Sequence, residues 1–87
     1  MKSLFQIGDI IASFNSRGEY LDKPRTVMEV SYIGSSTYIL YKCLRSDPSD
    51  SYYNTFSTHS EASVTGFKVI GYNPAVFLLY NSNKAPF

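Results

Sequence analysis

The sequence predicts a small all-β domain, and three observations support that prediction. Aromatic residues make up 16% of the 87 residues, as 8 Tyr and 6 Phe, and both types suit the half-buried, pleated surface of a strand. Apolar and polar residues alternate over short segments, which is the period of a strand with one face on a core. Clusters of Gly, Pro, Asn, Asp and Ser, which favour turns, separate those segments. We expect residues 1–87 to form one domain, with 81–87 as a frayed tail.

The first strand is predicted over Asp9–Phe14 and follows a tight turn at Gly8. Gly8 permits a positive φ, and the carboxylate of Asp9 can accept a hydrogen bond from a nearby backbone amide. The polar stretch that follows, 15–24, contains a glycine and ends in Pro24. This composition predicts a long loop, and long loops in small domains are often functional.

The second and third strands are predicted over Arg25–Ile33 and Thr37–Leu44. The Gly-Ser-Ser turn at 34–36 joins them as a hairpin. The third strand is apolar on both faces, which indicates a central place in the sheet. We expect the core to form around five side chains of the second, third and fifth strands: Met28, Val30, Leu40, Phe67 and Val69.

The segment 45–51 is rich in residues that favour a turn. It contains Asp-Pro and Ser-Asp-Ser, whose side chains bond to the local backbone, and its proline cannot donate to a strand ladder. Beyond it we predict a fourth strand over Tyr52–Ser57, a helical turn over 58–62 capped by Thr58, and a fifth strand over Thr65–Tyr72.

The apolar run 75–80 admits two interpretations. It is either a sixth, buried strand or a short helix with Pro74 near its start, where a missing amide is harmless. Its short length favours the strand. The same run either closes the core or pairs with a second copy or a partner, because an uncovered edge strand readily recruits another chain. A homo-oligomer through 75–80 is therefore one expectation.

Charge and hydropathy bear on several classes of function. The formal net charge is +1, whereas a dedicated nucleic-acid domain usually has a strong basic excess. Between 46 and 66 there are three acidic residues and no Lys or Arg, so this segment repels phosphate. No stretch approaches the ~20 apolar residues that span a bilayer, and the start of the chain lacks a secretory signal pattern. We expect a cytoplasmic location and no membrane contact.

The residues that usually carry chemistry are scarce. Catalysis needs convergent polar groups, and the chain has a single histidine, His59, and a single cysteine, Cys43. A metal centre needs several such ligands, so we expect no metal, no cofactor and no enzymatic activity. Cys43 lies in an apolar run and is expected to be a buried thiol.

The opening of the first strand resembles a known family. Small barrels of the SH3-like class, including KOW and Tudor domains, share an apolar residue, one spacer, Gly-Asp and further apolar residues, the pattern seen here as Phe5-Gln6-Ile7-Gly8-Asp9-Ile10-Ile11. The resemblance covers residues 4–72 and implies a barrel of five to six short antiparallel strands with a C-terminal apolar extension. Two features depart from it: the loop over 12–24 is charge-balanced, unlike that of a KOW motif, and there is no Trp for an SH3 peptide groove.

The sequence is also similar in composition to small phage or accessory gene products, which often bind and alter a host protein. We therefore expect a non-enzymatic module that binds a protein by occlusion or adaptor docking. Arg and Tyr in a loop offer a guanidinium and an aromatic face, the types enriched in binding hot spots. The candidate partner-binding residues lie in the predicted loops and their flanks: Arg17, Tyr20, Asp50, Tyr52, Tyr53, His59 and Glu61.

The alternative function is nucleic-acid binding by the same small barrel. It would use exposed tyrosines for base stacking and cations for the phosphate backbone. The candidate cations lie at strand ends and in adjoining loops, where they could gather on one face: Arg17, Lys23, Arg25, Lys42 and Arg45. The near-neutral total charge weighs against this alternative.

Overall fold

The computed structural model describes residues 3–34 and 38–76. In that part of the chain, five antiparallel strands form one sheet and a short 3₁₀ helix precedes the last strand. The elements are β1 (Asp9–Phe14), β2 (Tyr20–Ile33), β3 (Tyr38–Arg45), β4 (Phe56–Ser60), the 3₁₀ helix (Glu61–Val64) and β5 (Lys68–Tyr72). The order across the sheet is β4-β3-β2-β1-β5. The all-β prediction is confirmed, but the sheet is not closed, because β4 and β5 are its two edges.

The core lies against one face of the sheet, which we call the inner face. It consists of side chains from β1, β2, β3, the N-terminal segment and the 3₁₀ helix: Phe5, Ile11, Val27, Ile39, Tyr41, Cys43 and Val64. Phe5 packs edge-on against the ring of Tyr41, with ring centroids 5.5 Å apart. The N-terminal segment and the 3₁₀ helix therefore cover the inner face of the central strands.

The predicted core was only partly right. Val30 and Phe67 do pack against the core, but Met28 and Leu40 are half-buried and Val69 is 50% exposed. A register shift between Val27 and Glu29 is one cause, since a bulge changes which residues of a strand face inward.

The remaining differences arise from β3 and β5. On β3 the alternate residues Ile39, Tyr41 and Cys43 are the buried set, so Leu40 projects from the opposite face. Val69 belongs to β5, which among the described residues pairs with β1 and with no other strand. The sequence of β3 is apolar on both faces, so it does not show which face lies on the core. In the structure that face carries Ile39, Tyr41 and Cys43.

The long loop predicted over 15–24 is shorter in the structure. Residues 20–24 belong to β2 and pair with the end of β1, as Ser13 with Asp22 and Phe14 with Tyr20. Pro24 is tolerated in this strand because the register shifts between Ile11 and Ser13, and a proline is accommodated where a ladder is irregular. Only residues 15–19 remain as the β1–β2 loop.

The fourth strand and the helical turn are both displaced along the chain. β4 begins at Phe56 rather than Tyr52, and Thr58 lies within it instead of capping a helix. The 3₁₀ helix that follows begins at Glu61, and its N-cap residue Ser60 makes no side-chain capping bond. β5 is likewise shorter than predicted and begins at Lys68.

The C-terminal prediction is tested only at its start. Residues 74–76 have helical backbone, so the strand predicted over 75–80 is wrong for its first two residues. The rest of that segment, 77–80, and the predicted tail 81–87 lie outside the described residues. In the described ranges there is no helix of the length and apolarity that crossing a bilayer requires.

The turn at Gly8 has the predicted geometry. Its φ is +98°, and a Cβ there would lie 2.8 Å from the Tyr72 ring and 2.9 Å from the Asn73 carbonyl oxygen. The Gln6 amide donates to Oδ2 of Asp9 at 2.9 Å. Any side chain at position 8 would therefore be strained and would push β5 away from β1.

Candidate binding surface

Two loops meet at one end of the sheet. In consecutive antiparallel hairpins the connections alternate between the ends, so the β1–β2 loop and the β3–β4 loop, residues 46–55, lie at the same end. Direct bonds join their neighbourhoods: Nζ of Lys23 donates to the carbonyl oxygen of Ser49 at 2.9 Å, and the Ser46 amide donates to the Pro24 carbonyl at 3.2 Å. These bonds attach the β3–β4 loop to the part of β2 that follows the β1–β2 loop.

Four aromatic side chains at this end are about half exposed or more. Tyr20 is 48% exposed, Tyr52 65%, Tyr53 50% and Phe56 58%. We call this group the aromatic end. Aromatic rings are enriched in protein interfaces relative to the rest of a protein surface, and exposed apolar patches often mark interaction sites. The aromatic end is therefore a candidate binding surface.

The β3–β4 loop is ordered by its own aspartates. Oδ1 of Asp47 accepts the backbone amide and the hydroxyl of Ser49, each at 2.9 Å. Oδ1 of Asp50 accepts the Tyr52 amide at 2.9 Å. The bonds from Ser49 lower the pKa of Asp47, and the Tyr52 amide, followed by Arg45, lowers the pKa of Asp50. Both carboxylates are thus held in the charged form that the loop needs.

Further hydrogen bonds within the β3–β4 loop fix the backbone at Tyr52 and Tyr53. The Tyr53 amide donates to the Asp50 carbonyl at 3.0 Å, and the Thr55 hydroxyl donates to the Tyr52 carbonyl at 2.6 Å. Asn54 has a φ of 68°, the left-handed region in which Asn is tolerated better than most residues. This turn keeps residues 51–54 out of the sheet.

Arg45 anchors this loop to the sheet. Its Nε donates to Oδ2 of Asp50 at 2.6 Å, and its Nη2 lies 2.6 Å from the same oxygen. The guanidinium also lies 5.8 Å from the centroid of the Tyr52 ring. Because the Asp50 side chain is buried, this ion pair is shielded from solvent more than an exposed pair would be.

The other two rings of the aromatic end have partners on the strands. The Tyr20 ring packs on Phe14 with centroids 5.1 Å apart. Nζ of Lys42 lies 4.8 Å from the centroid of the Phe56 ring, a distance at which an ammonium is attracted to an aromatic face. The rings of Tyr20, Tyr52 and Phe56 therefore each have a partner within the chain while remaining about half exposed or more.

A polar cluster, which we call the polar corner, lies beside the aromatic end on the inner face. Its members are Arg25, Arg45, Asp50, Ser57 and His59. Nη1 of Arg25 lies 2.8 Å from Nε2 of His59, and the Ser57 hydroxyl lies 2.8 Å from the same nitrogen. A guanidinium can only donate, so Nε2 of His59 accepts from it and the imidazole is neutral with its proton on Nδ1.

Burial and neighbouring cations both oppose protonation of His59. Burial, then the nearby Arg25 and Arg45, lowers the pKa of His59 below its usual 6.5. Nε2 of the neutral ring is in contact with both the Arg25 guanidinium and the Ser57 hydroxyl. The bond to Arg25 links β4 to β2 across the intervening strand β3.

Glu61 lies in a different network on the core side of the sheet. The Tyr41 hydroxyl donates to Oε1 of Glu61 at 2.5 Å and accepts the Leu4 amide at 2.9 Å. Burial, followed by this bond to Glu61, raises the pKa of Tyr41 to about 12. Glu61 thus fastens the N-terminal segment over the core.

The predicted partner-binding residues fall into two groups. Arg17, Tyr20, Tyr52 and Tyr53 are exposed and lie in or beside the two loops. Arg17 also forms an exposed ion pair with Glu19 at 3.5 Å. The structure places Asp50, His59 and Glu61 in internal bonds, as described above. The binding role of all seven stays a prediction, with the exposed group best placed to contact a partner.

The cations of the nucleic-acid alternative do not share one face. Arg25 and Arg45 are cross-strand neighbours on the inner face, whereas Lys42, at the opposite parity of β3 from Tyr41 and Cys43, projects from the other face. Lys23 bonds Ser49 and Arg45 bonds Asp50. Each of these cations already has a partner within the chain.

Phe56 and the polar corner were missed by the sequence interpretation. Phe56 was placed inside a predicted strand that began too early, although Asn54, with its tolerance for positive φ, is a local signal for a turn just before it. The polar corner has no comparable signal, because its residues come from three strands and the β3–β4 loop, and the strand residues meet only through their register.

Cys43 is a buried free thiol, as predicted. Burial raises its pKa to about 11, so the thiol is protonated at neutral pH and is a poor nucleophile. Within 3–34 and 38–76 there is no group of three or more His, Cys, Asp or Glu side chains that could hold a metal ion.

Comparison with protein-family models, with curated proteins and with solved structures found no match to this chain.

Proposed function

We propose that this chain is a non-enzymatic module that binds another protein through the aromatic end. The observation that carries the proposal is the exposure of Tyr20, Tyr52, Tyr53 and Phe56 on one end of the sheet. Tyrosine and phenylalanine supply large contact areas while ordering only a few side-chain torsions. A partner that covers these rings gains apolar burial at a modest cost in entropy.

The order of the loop that carries two of these rings supports the same proposal. Asp47, Asp50 and Thr55 fix the backbone of the β3–β4 loop before any partner arrives. A surface held in its binding conformation pays less ordering entropy on association. The mode of action we propose is occlusion of a partner's site or adaptor docking.

Two finer hypotheses accompany the proposal. An SH3-like fold is supported by the sequence pattern around Gly8 and by the short 3₁₀ helix through which the chain passes from one edge strand to the other. The role of a phage or accessory modulator of a host protein is supported by size and composition alone. The central proposal, a protein-binding aromatic end, does not depend on either hypothesis.

Affinity capture with matched variants tests the proposal. The tagged chain and its double variant Tyr20→Ala with Tyr53→Ala are used to capture partners from extracts of the native source, and the captured proteins are identified by mass spectrometry. The matched control is Tyr32→Ala with Tyr38→Ala. These tyrosines are 48% and 51% exposed, as in the first pair, but they lie at the opposite end of the sheet beside the β2–β3 turn.

A partner that is captured by the wild type and the control, and lost with Tyr20→Ala/Tyr53→Ala, supports the proposal. Purified partner and chain should then give a saturable binding isotherm in calorimetry that is weakened only by the first pair of substitutions. Equal capture by both double variants would contradict it. Capture of nucleic acid instead, with affinity falling steeply as salt rises, would favour the alternative function.

A further inference from the structure

The guanidinium groups of two arginines on neighbouring strands differ greatly in how completely they are paired with carboxylates. Arg25 and Arg45 are paired across β2 and β3 on the inner face. Nε and Nη2 of Arg45 both lie 2.6 Å from Oδ2 of Asp50. For Arg25, Nη2 lies 3.8 Å from Oδ1 of Asp22, and Nε has no acceptor among the described residues. The same edge of the guanidinium is thus occupied in Arg45 and unoccupied in Arg25.

The unoccupied edge belongs to a deeply buried side chain. Only 3% of the Arg25 side chain is exposed, whereas its nearest carboxylate, on Asp22, is 56% exposed. The remaining contacts of the guanidinium are His59, which accepts from Nη1, and the Phe67 ring, whose centroid is 5.2 Å away. Asp22, at 3.8 Å, is too far from Nη2 to form a hydrogen bond. A buried charge whose donors are incompletely paired is costly, so this edge is a site where an anion would gain free energy.

The geometry of the edge specifies the anion. The Nε–H and Nη2–H bonds of an arginine point in parallel and match the two oxygens of a carboxylate. Two carboxylates, Asp22 and Asp50, lie near the guanidinium, so a singly charged carboxylate meets less repulsion here than a doubly charged phosphate does. We propose that the Nε/Nη2 edge of Arg25 is a carboxylate-binding site and that the Asp22 carboxylate moves aside when the ligand enters.

Asp22 defines the route of access. It is the one carboxylate within ion-pair distance of Arg25 among the described residues, and it is itself 56% exposed, so a ligand that displaces it would approach from the side of Asp22. The site is independent of the aromatic end, so a negative result here leaves the proposed protein binding intact. Its ligand is either a free small carboxylic acid or the carboxylate of a Glu or Asp side chain on another molecule.

Nitrogen-15 NMR of the arginine side chains tests the proposal without any substitution. Sodium acetate is titrated into the labelled full-length chain, and sodium chloride at equal ionic strength serves as the control. We expect the Nε–H resonance of Arg25 to shift saturably with acetate and not with chloride. The Nε–H resonance of Arg45, already bonded to Asp50, should not move. Equal shifts of both resonances, or no acetate-specific shift at Arg25, would overturn the proposal.

A substitution and a pair of peptides test the proposal further. Asp22→Asn removes the neighbouring negative charge and should tighten acetate binding severalfold, whereas weaker or unchanged binding would contradict the displacement of Asp22. Capped peptides Gly-Glu-Gly and Gly-Gln-Gly then separate the two sources of ligand. A shift of the Arg25 resonance with the Glu peptide alone identifies a side-chain carboxylate, and a shift with acetate but neither peptide identifies a free small acid.

Discussion

Tyr41 on the inner face and Tyr53 at the aromatic end show how one side-chain type is used in two ways. Tyr41 is fully buried, and Tyr53 is 50% exposed. The pleat of β3 directs Tyr41 into the core, where Glu61 and the Leu4 amide satisfy its hydroxyl. Asp50 and Asn54 hold Tyr53 in a turn outside the ladder. Backbone bonding, rather than hydropathy, therefore decides which rings stabilise the fold and which remain for contact with a partner.

The largest effect that separates the two regions is expected from Tyr41→Ala. Removing a fully buried ring leaves a cavity in the core, and aromatic-to-alanine changes of this kind cost about 3–5 kcal/mol. A thermal or denaturant unfolding curve should show a large loss of stability or no cooperative transition. A small loss would mean that the inner face is not the core of the protein.

Tyr41→Phe is the matched control for the hydroxyl. It keeps the ring packed against Phe5 and removes the bonds to Glu61 and Leu4. We expect a loss of about 1–3 kcal/mol, because Glu61 and the Leu4 amide lose a hydrogen-bond partner. Amide hydrogen exchange should quicken at the N-terminal segment more than in the central strands.

The second effect is expected from Asp50→Asn, which acts at the aromatic end. The amide side chain can still accept from Tyr52, but it leaves the Arg45 guanidinium without its counterion. The thermal midpoint should fall by less than for Tyr41→Ala, and the amides of 51–55 should exchange faster. Asp47→Asn is the control, because Asp47 makes local bonds to Ser49 and forms no ion pair within residues 3–34 and 38–76. If both variants behave alike, the ion pair does not order the loop.

The third effect is a dependence of stability on pH. The pKa of His59 is below 6.5 in the folded chain, so the unfolded chain binds a proton there at a higher pH than the folded chain does. Stability should therefore be full above about pH 6.5 and should decrease as the pH falls from 6.5 toward the folded pKa. Thermal midpoints measured from pH 7.5 to 5 check this decrease.

His59→Gln is the variant that isolates this titration. The Gln carbonyl can accept from Nη1 of Arg25 and does not titrate. The decrease in the midpoint between pH 6.5 and 5 should be smaller in this variant than in the wild type, while Asp47 and Asp50 lose their contribution only at lower pH, because their pKa values are below 3.8. An unchanged pH profile would show that His59 is not the group responsible.

The smallest effect on stability is expected where the effect on binding is largest. Tyr20→Ala with Tyr53→Ala removes two half-exposed rings, and substitutions at exposed sites usually change stability by about 0.5 kcal/mol or less each. The thermal midpoint should remain near that of the wild type and of Tyr32→Ala with Tyr38→Ala. A collapse of the midpoint would mean that Tyr20 and Tyr53 belong to the core.

The sequence predicts the strands whose ends are set by nearby turn-forming residues, and it fails where pairing with a distant strand sets them. β1 has the predicted bounds, Asp9–Phe14, because the Gly8 turn before it and the Asn-Ser-Arg-Gly stretch after it are encoded within a few residues. The hairpin of β2 and β3 is predicted for the same reason. The start of β2 at Tyr20 depends on pairing with β1, and the inward face of β2 depends on a bulge opposite β3. Neither follows from a local pattern.

The candidate site likewise contains residues whose placement follows from local sequence and residues whose placement does not. The exposure of Tyr20 follows from its place in a turn-forming segment. The exposure of both Tyr52 and Tyr53 does not, because the strand predicted over Tyr52–Ser57 would turn one of the two rings inward. The internal role of His59 does not follow, because its partner Arg25 lies 34 residues away and on a strand that is not its neighbour. Long-range register is what turns a polar residue of a predicted loop or strand into part of a buried network.

Amide hydrogen exchange with and without the captured partner tests the central claim most directly. In the free chain we expect the amides of Tyr52, Tyr53 and Thr55 to be protected by their bonds within the β3–β4 loop. On addition of the partner, protection should increase in that loop and around Tyr20, and it should not change in the hairpin that carries Tyr32 and Tyr38. Protection gained at that hairpin, with none at the aromatic end, would contradict the account.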